Sequence, residues 1–171
     1  GEARRGQGDG DGEQRAGERT RRGQAEAGRQ ARPADSRRDR CGGNQNAEAS
    51  LIGSDGVECP FCRCVAGTPE KAIAKFKGKV NFVLRHFPLD FHGENAKRGG
   101  YYAECVGRQA GSKAFFEFAD DWLKQTQGNG QGLEGGDAKI KELAQSAGVK
   151  DLAATEACSR ETQLPQGALG C

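Results

Sequence analysis

Cys59-Pro60-Phe61-Cys62 is the stretch on which the reading of this sequence turns. Two cysteines two residues apart, behind a strand candidate and at the start of a helical pattern, form the layout of a thiol–disulfide redox site. The chemistry explains the placement. Attack on a disulfide requires a thiolate, and the unpaired amides and dipole at a helix N-terminus favour that charge. A spacing of two lets the second thiol attack the mixed disulfide and release the bound substrate. Cys59 is therefore expected as the exposed nucleophile. Cys62, one turn further in, is the expected buried resolving thiol. Pro60 suits the first helical position, where its missing N–H costs nothing. Phe61 is expected at the surface beside the sulfurs, and the two residues between the cysteines tune the potential. Asp55 and Glu58 precede the motif and can act as proton relays or raise a thiol pKa by like charge.

Working outward, Leu51–Val57 is a weak strand candidate interrupted by Gly53 and Gly56. Cys59 to about Phe76 reads as one helix kinked at Pro69. In Val80–Phe87, Val80, Phe82 and Leu84 alternate with Asn81, Val83 and Arg85, which is the strand period, and Pro88 stops it. Glu94–Gln109 is a helix candidate weakened by Gly99-Gly100. Phe115, Phe118, Ala119 and Trp122 recur at helical spacing and predict a core-facing helix over Ala114–Lys124. Ile140, Leu143, Ala144 and Ala147 repeat the pattern after Asp137, a candidate cap. Asp151 is a candidate cap for a short helix reaching Cys158. The order is strand, helix, strand and then three or four helices.

A second chemistry competes for the same cysteines. Cys59, Cys62 and Cys64, with Cys41 or a histidine, supply the ligand types of a non-enzymatic zinc module. Against it, no second C-x-x-C or C-x-x-H follows, and His86 and His92 are the only histidines. Elsewhere, Cys105 and Cys158 lie 53 residues apart in the helical part. They read either as a structural disulfide or as two buried thiols. Seven cysteines is an odd number, so at least one thiol is left over. His86 is expected near the site or at a strand end, and His92 in a surface turn.

The first fifty residues differ from the rest. They contain no Leu, Ile, Val, Phe, Tyr or Trp, and all eleven of their basic residues are Arg, whereas all ten Lys lie from Lys71 to Lys150. Such a tract cannot build a core, so residues 1–50 are expected as a disordered tail. Eight acidic residues interrupt its arginines and no aromatic is present for base stacking, which argues against a nucleic-acid-binding arm. The remaining residues are enough for one modest core in a chain of 171 residues. No apolar run approaches the length of a transmembrane helix, and no signal peptide is visible. The chain has no Met, which suggests a processed chain or a fragment.

The CPFC motif, the string Val80-Asn81-Phe82-Val83-Leu84-Arg85-His86-Phe87-Pro88-Leu89 and the following Phe91-His92-Gly93-Glu94-Asn95-Ala96 together resemble the DsbA-like thiol–disulfide oxidoreductases. Ala103-Glu104-Cys105 and the aromatic helix around Phe115–Trp122 look like that family's inserted helical domain. The resemblance covers about Leu51 to Cys158. It implies an α/β, thioredoxin-like fold interrupted by helices, with residues 51–95 as the first β-α-β part and 96–158 as the helical insertion, while 159–171 has little pattern and is expected as an irregular tail. It also implies Cys59 as nucleophile with Cys62 as its partner, an extracytoplasmic location, exported thiol-containing proteins as substrates and a redox partner that regenerates the pair. No metal or organic cofactor is implied. The family carries a cis-proline in a later strand facing the site, followed by the last sheet strands. Gly67-Thr68-Pro69 falls inside the first helix, and Pro165 has no strand pattern around it. The C-terminal strands are thus expected to be missing.

Overall fold

The computed structural model describes residues 39–162. The expected tail up to residue 38, and the stretch from 163 with Pro165 and Cys171, lie outside the described residues. Three strands form one sheet in the order β1-β3-β2: β1 is Arg40–Gly42, β2 is Ala49–Asp55 and β3 is Val80–His86. β2 runs parallel to β3, with Leu51 opposite Phe82 and Asp55 opposite His86. β1 runs antiparallel to β3, with Cys41 opposite Val83.

β1 overturns the boundary expected at residue 51. Pairing in a sheet uses backbone groups, so a three-residue strand needs no apolar run. Its flanking charges are also answered: Asp39 and Arg85 form a buried ion pair at 3.0 Å, and Arg40 meets Glu104 at 3.3 Å.

The crossover between β2 and β3 is two helices rather than one kinked helix. α1 is Pro60–Val65 and α2 is Thr68–Lys75. Gly67 lies between them in the left-handed region (φ 78°), which ends α1. Pro69 then opens α2 in the first turn, where proline is tolerated.

After a short 3₁₀ turn at Asp90–His92, α3 spans Gly93–Gln125. It is interrupted at Gly111 (φ 90°, ψ 175°), which separates the two helical stretches read from the sequence. α4 is Gly136–Ser146 and α5 is Leu152–Glu161. Gly135 occupies the N-cap of α4, and Asp137 sits in the first turn, where it pairs with Arg98. Asp151 does cap α5, accepting from the Ala154 amide at 2.9 Å. That helix extends past Ser159 to Glu161, so residues 159–161, expected in the irregular tail, are helical.

The core lies chiefly where α3 meets α4. Phe115, Phe118 and Trp122 are fully buried, with Ile140, Leu143 and Ala144 packed against them. Burial of each large side chain contributes roughly 1.5–3 kcal/mol. Gly99, read as a weak point, is where α3 meets the chain leading into the cysteines. A Cβ there would collide with Val57 Cγ2 and lie 3.0 Å from the Trp122 ring.

Candidate active site

The cysteine pair is placed by a simple sequence of backbone events. β2 ends at Asp55, the chain turns at Val57 and Glu58, and the Cys59 amide donates to the Gly56 carbonyl at 3.0 Å. Cys59 becomes the N-cap of α1 and Pro60 follows it in the first turn. Cys59 and Cys62 are both half-buried, while Phe61 between them is 81% exposed.

The Cys62 thiol donates to Asp55 Oδ1 at 3.1 Å. Its pKa is raised, first by burial, then by a hydrogen bond with Cys59, then by the hydrogen bond and negative charge of Asp55; the Gly56 amide opposes this weakly. A cavity of about 50 Å³ lies behind the pair, bordered by Asp55, Cys62, Val65, Phe82 and Asp120. Such a space admits water.

Glu58 behaves differently from Asp55, although both precede the motif. Its side chain is completely buried. Trp122 Nε1 donates to Oε1 at 2.6 Å, the Thr126 hydroxyl lies 2.8 Å from each oxygen, and the Gly132 amide donates to Oε2 at 3.1 Å. The carboxyl is thus engaged with the end of α3 and the loop after it. The backbone joins in: the Asn129 amide donates to the Glu58 carbonyl at 2.8 Å. Only the adjacency of Glu58 to Cys59 was visible in the sequence, because its partners are 64 to 74 residues away.

The zinc constellation is not assembled. Among the described residues no three His, Cys, Asp or Glu side chains gather as a metal site. Cys64 is exposed, with its thiol directed to the Pro60 carbonyl. Cys41 is buried in β1. His86 is buried against Phe115, with ring centroids 5.2 Å apart. Its pKa is lowered by burial to about 4. His92 is 3% exposed rather than a surface turn residue, because the loop at Gly130 packs on its backbone. Away from the pair, Cys105 and Cys158 are joined by a disulfide, with Cα atoms 6.0 Å apart. No helix among the described residues is long and apolar enough to cross a membrane.

Residues 35–167 match the family model described as Thioredoxin. The chain belongs to this thioredoxin family. Its described fold, a small sheet with a helical insertion and a C-x-x-C pair at the start of α1, is DsbA-like. The crystal structure of DsbA2 from Pseudomonas aeruginosa is 31% identical with a TM-score of 0.58, and the match covers 78% of this chain and 67% of that one. BdbD from Bacillus subtilis, 20% identical with a TM-score of 0.61 over 77% of this chain and 70% of that one, shares the fold. So does a periplasmic thioredoxin-like protein from Salmonella enterica serovar Typhimurium, at 19% identity and a TM-score of 0.55 over 74% of this chain and 68% of that one. In sequence, 59 residues are 39% identical to the Na(+)/H(+) antiporter NhaA 1 of Mycolicibacterium gilvum. That match covers 34% of this DsbA-like chain and only 10% of the antiporter. The sheet expected to lack its C-terminal strands has three strands among the described residues, and no peptide bond there is cis.

Proposed function

We propose that this chain carries out dithiol/disulfide exchange through Cys59 and Cys62, acting on thiol-containing exported proteins outside the cytoplasm. The observation that carries the reading is the asymmetry of the pair. Cys59 stands at the N-cap position of α1 beside an exposed Phe61, whereas Cys62 is hydrogen-bonded to Asp55 and held as a thiol by burial and by that carboxylate.

In the oxidising direction a substrate thiolate attacks Cys59 Sγ of the oxidised pair. The Cys59–Cys62 bond breaks as the substrate–Cys59 bond forms, and the electron pair leaves on Cys62. Cys62 takes up a proton, with Asp55 in position to deliver it from the water-sized cavity behind. A second substrate thiolate then attacks the mixed disulfide at the substrate sulfur and expels Cys59. Two electrons have passed from substrate to pair, and a partner disulfide or other two-electron acceptor must remove them. The reverse order gives reduction, with Cys62 as the resolving thiol.

Phe61 offers an apolar contact to an unfolded substrate next to the reacting sulfur. The Cys105–Cys158 disulfide supports an oxidising compartment. Replacing Cys59 with Ser should abolish catalysed refolding of a reduced, denatured test protein, while Cys62→Ser should trap mixed disulfides on Cys59. Undiminished catalysis by Cys59→Ser would overturn the assignment.

A further inference from the structure

The two ends of the cysteine motif are fastened to one residue far away in the chain. Glu58, immediately before Cys59, binds the Thr126 hydroxyl. Arg63, immediately after Cys62, reaches the same residue from the other flank: its guanidinium donates to the Thr126 carbonyl and, through Nε, to the Leu123 carbonyl at 2.7 Å. These carbonyls belong to the last turn of α3 and its cap, where acceptors lack helical partners and a cation is favoured. Thr126 is itself 4% exposed, and its hydroxyl also holds the loop beyond, accepting from the Gly128 amide at 3.0 Å.

We propose that Glu58, Arg63 and Thr126 form a brace that positions the two sulfurs for exchange, resting on the redox reading of Cys59 and Cys62. α1 is six residues long and buries none of them, so its own packing fixes the pair poorly. The brace supplies what the short helix lacks. It fixes the chain on both sides of the motif to the buried end of α3. Holding two thiols at a set separation raises the effective concentration of one at the other. That quantity sets the equilibrium of the pair with glutathione. The hydrogen bonds of Thr126 and Arg63 go to Glu58 and to the backbone and not to either sulfur, so they are positioning residues.

The test compares Thr126→Val, which keeps the shape and loses the hydroxyl, with Thr126→Ser, which keeps the hydroxyl. Both are set beside Arg63→Ala, each in the full chain. The readout is the equilibrium constant with glutathione, with a thermal melt in parallel. We expect Thr126→Val and Arg63→Ala to lower the constant for forming the Cys59–Cys62 disulfide about tenfold, by lowering the effective concentration of one thiol at the other, and Thr126→Ser to stay within about threefold. A Thr126→Val chain that melts cooperatively with the wild-type constant overturns the brace, as does an equal shift in Val and Ser variants. Should Thr126→Val not fold, the surface-lying Arg63→Ala decides by the same criterion. A wild-type pair that forms no reversible couple overturns the redox reading itself, and the brace with it.

Discussion

The indole Nε1 of Trp122 donates to Glu58 Oε1 at 2.6 Å, although the two residues are 64 positions apart. Trp122 is the only tryptophan in the chain. Its ring is therefore one hydrogen bond and one peptide link from Cys59. Closing and opening the Cys59–Cys62 bond should alter the indole's surroundings. Intrinsic emission is expected to change across a redox titration, with a midpoint equal to that from thiol counting. Emission that stays flat while the thiols titrate would show that the contact transmits nothing.

Asp55 is expected to act on Cys62 rather than on fold stability. Its charge and its hydrogen bond both raise the Cys62 thiol pKa. In a Cys59→Ala background, Asp55→Asn should therefore lower the pH at which Cys62 is alkylated. The value should not return fully to that of a free thiol, because burial is the larger cause. Alkylation rates of the Cys62 peptide measured against pH decide the matter, and an unchanged or upward-shifted profile contradicts the assignment.

Cys105–Cys158 closes a loop across 53 residues and ties α3 to α5. In the chain-entropy model such a closure contributes roughly 4 kcal/mol. The Cys105→Ala/Cys158→Ala double variant should lose about that much in urea unfolding. A loss below about 1 kcal/mol would mean that the bridge adds little to the packing of the helical layer.

His86 gives the fold a pH dependence with a definite sign. Burial lowers its pKa from 6.5 to about 4, so the folded chain keeps the ring neutral where the unfolded chain protonates it. Stability is complete above pH 6.5, declines as pH falls toward 4, and levels off below that; the full span is roughly 3 kcal/mol. Glu104, 3.9 Å from the ring, has its carboxyl raised above 4.5 mainly by burial and acts in the opposite sense, adding stability as pH falls through its raised value to 4.5, a window that overlaps that of His86. Comparing urea midpoints of wild type and His86→Gln isolates the imidazole. The wild type should fall more steeply with decreasing pH, and parallel profiles would exclude the effect.

The parts of the fold written in local pattern were legible in the sequence. The alternation in Val80–His86, the aromatic spacing from Phe115 to Trp122 and the Asp151 cap each depend on neighbours within a turn or a strand. What escaped the reading depends on distant partners. β1 has no apolar signature, and its charged flanks are answered by Arg85 and Glu104, 46 and 64 residues on. The burial of His92 depends on a glycine loop nearly forty residues later. Gly99 looked like a defect in a helix and is the point where the helix accommodates Val57. At the site, the cysteine spacing was explicit, and Asp55 and Glu58 stood out as neighbours. Their division of labour was not visible, since it depends on which carboxyl meets Cys62 and which meets Trp122.

The most direct measurement is a glutathione redox titration, with alkylation of free thiols and mass spectrometry of each cysteine peptide. Cys59 and Cys62 should titrate together as a single two-electron couple more oxidising than about −200 mV, with Cys105 and Cys158 oxidised throughout. Cysteines 59 and 62 that remain reduced across the range, or titrate independently, would contradict a redox pair.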